Sequence, residues 1–222
     1  MTISEDLGTA RPYDAVLCDV DNVIRFYDST RLTGLERRSG LPEGTTAEVA
    51  FAPERDGPLM RGRITPAQWV ESVTEGLTGS HGVPAELAHE LASALATAPF
   101  SADVATVGAL REARAAGLTL VLVTNATVDL EDDLETMGLT GLADHVVSSA
   151  RVGVAKPDPE IYEIAVARAG AAPGRCLFVD DRRENVEAAE ALGMTGVHYR
   201  RPEDLREALG FLDRPRGLPN GA

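Results

Sequence analysis

The amino-acid sequence predicts an α/β protein: a parallel sheet with an all-helical segment inserted near its start. Three observations predict it. From Ser101 onward, short apolar runs alternate with helical patterns, as strands joined by right-handed helical crossovers do. The runs, Ala15-Val16-Leu17-Cys18 first among them, are apolar at successive positions rather than at every second one, which suits strands buried on both faces. Between that first run and Ser101 there are helical patterns and breakers but no convincing strand.

In chain order, residues up to about Pro12 read as a loose leader. The first strand, 15–18, ends abruptly in Asp19-Val20-Asp21-Asn22. Helices are expected near 30–39, 46–52, 66–77 and 84–97, separated by breakers at Gly40-Leu41-Pro42, Arg55-Asp56-Gly57-Pro58 and Gly79 to Pro84. Thr65-Pro66 opens one of them, with Thr as N-cap and Pro at the first helical position. A helix over 102–116 stops at Gly117, and the strand Thr119 to Val123 follows. A helix over 127–137 stops at Gly138, ahead of a short strand at 145–148. Asp158-Pro159 again reads as cap then proline, opening a helix with Ile161, Ile164, Ala165 and Ala169 on one face. Cys176 to Val179 is a strand, Asp181-x-x-Glu184 resembles a capping box for a helix reaching Leu192, and 196–199 is the last strand. The Pro/Gly-rich tail from Leu212 reads as frayed.

The length of 222 residues fits one medium domain, or a core with one modest insertion, and supports a core without staples. Lys plus Arg number 21 against 35 Asp plus Glu, a formal net charge of −14. So acidic a surface repels nucleic acid and anionic membrane, and neither is expected as a partner. An anionic substrate is still admissible, because a local cation or a metal reverses the sign inside a pocket. Two cysteines are too few for a disulfide scaffold. The N-terminus has no apolar signal core and no run approaches a membrane span, so the expected location is cytoplasmic.

In open α/β sheets the active site lies beyond the carboxyl ends of the strands. Asp19 and Asp21 follow the first predicted strand, Thr124 and Asn125 the second, and Asp180 and Asp181 a later one, with Lys156 in the loop before the helix at Pro159. Taken singly, each group has a plain structural reading: a solvated turn, a helix cap, a surface lysine. Taken together they place oxygen ligands, hydroxyl and amide donors and one cation on a single sheet edge, the inventory of phosphoryl chemistry.

These segments resemble the four motifs of the haloacid dehalogenase-like hydrolase superfamily, in its helical-cap phosphatase branch. The motifs read Leu17-Cys18-Asp19-Val20-Asp21-Asn22-Val23-Ile24, Leu122-Val123-Thr124-Asn125, Lys156-Pro157-Asp158-Pro159-Glu160-Ile161-Tyr162, and Phe178-Val179-Asp180-Asp181-Arg182-Arg183-Glu184-Asn185. Leu59 to Thr65 also resembles a stretch of the helical cap in one branch. The resemblance spans about residues 13–200. It implies a Rossmann-like core over 13–26 and 98–212, a cap over 27–97, and flexible termini at 1–12 and 213–222.

The resemblance also implies roles. Asp19 is the expected nucleophile, forming an aspartyl phosphate, and Asp21 the general acid and then base. Thr124 and Asn125 would donate to phosphate oxygens, and Lys156 would neutralise Asp19 and the phosphate. Asp181, with Asp180, Asp19 and the Asp21 carbonyl, would hold Mg2+, and Asn185 would steady that loop. Dehalogenating members lack the aspartate at the position of Asp21, and phosphonate-cleaving members carry a cap lysine where 27–97 here has none. The expected function is therefore Mg2+-dependent hydrolysis of a small phosphorylated metabolite by a monomer or homodimer. A phosphomutase of the β-phosphoglucomutase type and a non-catalytic phosphometabolite-binding protein are the alternatives. A signalling receiver domain is disfavoured by motif order, since there the acidic pair follows the first strand and the phosphorylated Asp a later one.

Other conspicuous residues have plainer readings. The four histidines lack metal-ligand spacing, and Cys18 and Cys176 read as small buried hydrophobes. Trp69 reads as core of the helical segment, and Asp129 to Glu135 as a solvated helix face. Arg61 and Arg63 read equally as a solvated loop or as ligands for substrate anion.

Overall fold

The computed structural model describes residues 11–212. In order, the chain forms β1 (Ala15–Cys18), β2 (Arg25–Tyr27), α1 (Thr30–Arg38), α2 (Thr45–Ala50), α3 (Pro53–Met60), α4 (Pro66–His81), α5 (Ala85–Ala96) and β3 (Phe100–Ala102). There follow α6 (Val104–Ala115), β4 (Thr119–Thr124), α7 (Leu130–Thr136), β5 (His145–Ser148), α8 (Ser149–Val152), α9 (Pro159–Ala169), β6 (Cys176–Asp180), α10 (Arg183–Ala191), β7 (Thr195–His198) and α11 (Pro202–Ala208).

Five strands make one parallel sheet in the order β5-β4-β1-β6-β7, a Rossmann-like α/β arrangement. The unbroken apolar runs are explained by burial on both faces. Val16 and Cys18 pack with Leu120, Leu122, Leu177 and Val179 against α6, α7 and α11. Ala15 and Leu17 pack with Val121, Val123 and Phe178 on the other face, against Ile161, Tyr162 and Ala165 of α9. Burying a Leu- or Ile-sized side chain contributes about 1.5–3 kcal/mol, so alternation would forfeit half the sheet's driving force. β1 lies in the middle, flanked by β4 and β6, which delivers its carboxyl end to the centre of one edge.

Helices α1 to α5 pack around a separate apolar cluster that includes Leu35, Trp69, Val73, Leu77 and Leu91. Trp69 is core, as expected. Thr65 and Gln68 form a reciprocal capping box at the start of α4. Asp158 caps α9 with Pro159 at its first position, also as expected, and Ile161, Ala165 and Ala169 are buried.

Four expectations need correction. The breaker at Arg55-Asp56-Gly57-Pro58 lies inside α3: Pro53 supplies the fixed first position, and Pro58 forfeits only one hydrogen bond while Leu59 is buried. The insertion is entered and left through two short antiparallel strands, β2 and β3, with Arg25 opposite Ala102. Three residues with mixed burial carry no period, so that pairing was illegible locally. Asp181 does not cap α10, whose N-cap is Arg182 without a side-chain bond. The leader is held at its end, since Arg11 donates to the Ala116 carbonyl at 2.7 Å and Arg175 to the Pro12 carbonyl at 3.0 Å. The expected flexibility of residues 1–10 and 213–222 lies outside the described residues.

The insertion touches the core through α3 and α8. Gly62 sits at φ +66°, and a Cβ there would lie 2.6 Å from the Ala150 carbonyl oxygen of α8. Gly62→Ala is therefore expected to destabilise the protein by about 1–3 kcal/mol, combining left-handed strain with overpacking. Urea denaturation checks this, and an unchanged midpoint would show that the close approach does not constrain the fold.

Candidate active site

The carboxyl ends of β1, β4 and β6 put Asp19, Thr124 and Asp180 on one edge of the sheet. Asp19 follows β1 directly, and its backbone N–H donates to the Val179 carbonyl at 2.9 Å. Its side chain stays fixed because Oδ1 accepts the Val20 N–H at 2.7 Å. Lys156, the only lysine in the sequence, lies between two carboxylates: its Nζ is 2.8 Å from Asp19 Oδ1 and 2.6 Å from Asp180 Oδ2. The three residues are 5%, 6% and 0% exposed, so this is a buried ion triad. An ammonium on a flexible stem fits the gap as a compact charge, which a planar guanidinium would not.

The electrostatics follow from burial. Burial pushes the Asp19 carboxyl up to about 7, with Asp180 and Asp21 adding to the rise and Lys156 opposing it. Burial lowers the Lys156 ammonium, but Asp19 and Asp180 outweigh that and hold it above its usual value. Burial also raises Asp181, and Asp180 beside it acts in the same sense. Carboxylate oxygens of Asp19, Asp180 and Asp181 come within 4.8 Å of one another. Three carboxylates against one ammonium leave an excess of negative charge, and the donor set is entirely oxygen. Both features fit Mg2+ better than a thiophilic metal.

Every residue expected at the site is placed at this edge, though not always in the expected posture. Thr124 is fully buried and its Oγ1 has no hydrogen-bond partner among the described residues. A buried orphan hydroxyl costs about 1–3 kcal/mol, so it is a donor waiting for an acceptor. Asn125 is bonded within the protein as well: its Nδ2 donates to the Lys156 carbonyl at 3.0 Å, and its Oδ1 accepts the Lys156 N–H at 2.8 Å. It fixes the lysine loop, with one amide hydrogen left over. Asp180 is more fully engaged than Asp181, because its Oδ1 accepts from Asn185 Nδ2 and from the Arg182 N–H, each at 2.9 Å. Asn185 thus ties α10 to Asp180, and Tyr162 holds it in turn by donating to the Asn185 carbonyl at 3.0 Å.

Several contacts had no sequence signal. Asn22, at φ 59°, donates to Asp181 Oδ2 at 3.1 Å and links the first motif to the last. A ring nitrogen of His198 lies 3.0 Å from the Asp181 carbonyl oxygen. Arg25 is 3% exposed and pairs with Asp21 at 2.6 Å and Asp133 at 2.5 Å. Asp133 is therefore not merely part of a solvated face. From the insertion, Asp56 is pushed up to about 6 by burial, opposed by the charges of Arg182 and Arg61. Cys18 is buried beside Asp19, and burial holds its thiol well above the ordinary range, which agrees with a packing role.

A family model described as haloacid dehalogenase-like hydrolase matches residues 13–193. Among curated relatives, mouse acyl-CoA dehydrogenase family member 10 is 28% identical over 95% of this chain and 20% of its own length. The phosphoserine phosphatase of Thermus thermophilus is 38% identical over 43% of this chain and 40% of its own. The chain spans between a fifth and a half of the length of the curated relatives it first matches. Among solved structures, a HAD family enzyme of Bacteroides thetaiotaomicron, in complex with magnesium and inorganic phosphate, superposes with a TM-score of 0.63 at 19% identity, covering 85% of this chain and 94% of that one. The L-2-haloacid dehalogenase of Xanthobacter autotrophicus, with chloropropionic acid covalently bound, has a TM-score of 0.60 at 19% identity, covering 89% and 83%.

Because Asp19 is raised in the folded protein from an ordinary 3.8 to about 7, the native state keeps a proton that the unfolded chain releases. The stability it contributes is full below about pH 4 and is lost as the pH rises through about 7. Urea denaturation of the metal-free protein from pH 4 to 8 is expected to show falling stability, with a shallower fall in Asp19→Asn. An equally steep fall in the variant would assign the burial cost to other groups.

Proposed function

Because the chain belongs to the haloacid dehalogenase-like hydrolase family, we propose that it is a Mg2+-dependent phosphomonoesterase acting on a small phosphorylated metabolite through an aspartyl phosphate. One observation carries the reading: a buried Asp19, with Asp21 two residues on, lies against the Lys156 ammonium beside the Asp180-Asp181 pair. We also read the protein as cytoplasmic, which its two unpaired thiols favour over an oxidising compartment.

In this reading Asp19 attacks phosphorus in line. A bond forms between its carboxylate oxygen and phosphorus, and the ester P–O bond breaks with its electron pair on the leaving oxygen. Asp21 gives that oxygen its proton, so the product is an alcohol. Asp21 then takes a proton from water as the water oxygen attacks phosphorus; the Asp19–phosphorus bond breaks and inorganic phosphate is released. The Thr124 hydroxyl, without an internal partner, donates to a phosphoryl oxygen. Lys156 opposes the rise of the Asp19 carboxyl, so that its ionised form can attack, and offsets charge on the phosphoryl group. Asp19, Asp180, Asp181 and the Asp21 carbonyl would hold Mg2+, which supplies charge neutralisation for the carboxylates and the phosphate. Helices α1 to α5, the cap of this reading over about 27–97, exclude water and select the substrate. A dehalogenase needs no proton for a halide, and Asp21 favours the phosphatase over it. A phosphomutase would use the same residues and return the phosphate to a second hydroxyl.

The test is phosphate release from a panel of phosphorylated metabolites, with Mg2+ and with EDTA. Release is expected only with Mg2+, is expected to disappear in Asp19→Asn, and is expected to fall about 10²–10⁴-fold in Asp21→Asn, the usual worth of a general acid. Full activity in Asp19→Asn would overturn the assignment, and isomerised sugar phosphate in place of free phosphate would move it to the mutase.

A further inference from the structure

Arg25 has no part in the four motifs, yet it is the only buried arginine among the described residues. Its Nε donates to Asp21 Oδ1 at 2.6 Å and its Nη2 to Asp21 Oδ2 at 3.1 Å, a two-pronged hold on one carboxylate. Its Nη1 donates to Asp133 Oδ2 of α7 at 2.5 Å. Its guanidinium carbon lies 5.1 Å from the ring centre of Tyr27 and 5.4 Å from that of Phe100. At 3% exposure the group is dry, and its donors are not loosened by competition with water.

The local backbone makes this possible. Arg25 N–H donates to the Val20 carbonyl at 2.8 Å and its own carbonyl accepts the Asn22 N–H at 2.9 Å, so the chain turns back within four residues. The turn passes through Asn22 at φ 59°, a conformation an asparagine tolerates. It brings the side chain of Arg25, the first residue of β2, alongside that of Asp21. Asp21, by contrast, keeps 31% of its side chain exposed, and its two bonds to Arg25 are unequal. The short bond anchors Oδ1, while the longer one leaves Oδ2 the more easily released oxygen.

We propose that Arg25 is the positioning residue of the leaving-group acid. Its fork fixes the plane of the Asp21 carboxylate through Oδ1, leaving Oδ2 to carry the proton to the ester oxygen. Asp133 and the Tyr27 and Phe100 rings hold the fork in place. The inference rests on the reading of Asp21 as general acid. Arg25 acts through the Asp21 carboxylate rather than on the phosphoryl group itself. A rigid acid matters in proportion to how much the departing oxygen needs its proton. An alkoxide needs it greatly, whereas p-nitrophenolate leaves without help.

That difference supplies the test, made on the Mg2+-loaded enzyme with glycerol 2-phosphate and p-nitrophenyl phosphate. In Arg25→Lys, which keeps the charge and loses the fork, kcat on glycerol 2-phosphate is expected to fall about thirtyfold or more. On p-nitrophenyl phosphate it is expected to fall less than about threefold, with both KM values within about twofold of the parent. Adding Arg25→Lys to Asp21→Asn is expected to cost nothing further on glycerol 2-phosphate, because the two act as one unit. Should Arg25→Lys fail to fold by thermal melting, Asp133→Asn replaces it; that variant leaves the fork present but unanchored, and is expected to give the same selective loss at smaller size. Equal losses on both substrates, no loss on either, or additive losses in the double variant would overturn the inference. A parent enzyme without phosphate release, or an Asp21→Asn variant as active as the parent on glycerol 2-phosphate, would fail the phosphatase reading itself and the inference with it.

Discussion

The Lys156 ammonium between Asp19 and Asp180 is the constraint on which the sheet edge depends. Removing either carboxylate or the lysine from water costs several kcal/mol per charge, and only close pairing offsets it. The distances of 2.8 and 2.6 Å show how tightly the offset is arranged. Around this triad the protein adds backbone devices rather than further charges. Asn125 clamps the lysine loop through both backbone groups of Lys156, and Asn185 and the Arg182 N–H hold Asp180. Tyr162 anchors Asn185 in turn from inside the core. Each link reaches the next element along the edge, from β4 through the lysine loop to β6 and α10. The charges therefore meet at positions set by the sheet rather than by their own attraction.

The triad is stable but frustrated. It leaves an excess negative charge among Asp19, Asp180 and Asp181, and burial raises the carboxyls of Asp19 and Asp181. The Thr124 hydroxyl also has no partner among the described residues. A fold selected only for stability would remove both costs. In the proposed function a divalent cation and a phosphoryl oxygen would relieve them together, since one would neutralise the carboxylates and the other accept from Thr124.

A second charged arrangement, at Arg25, joins the site to the linkers of the helical insertion. Arg25 begins β2 and lies over Phe100 of β3, the strands by which the chain leaves the core and returns to it. Through Asp133 it is also tied to α7 on the core. The residue proposed to orient the acid thus touches both the core and the two strands that lead into and out of the insertion. This follows from a turn only four residues long, without any long-range arrangement of the helices.

The sequence by itself determined the sheet, its burial on both faces and the set of residues at its carboxyl edge. Those follow from local information: apolar runs long enough to be strands, helices with readable caps at Thr65 and Asp158, and polar residues at each strand end. The tertiary structure alone decided the pairing of β2 with β3, the continuation of α3 through Pro58, the hydrogen bonds of Asn125 to the Lys156 backbone, and the clamp of Arg25 on Asp21 and Asp133. The physical reason is common to all four. Periodicity reports what one segment does with its own faces, whereas a three-residue strand, a proline tolerated inside a helix, an amide's partner and a buried guanidinium's counter-ions are settled by segments distant in the chain.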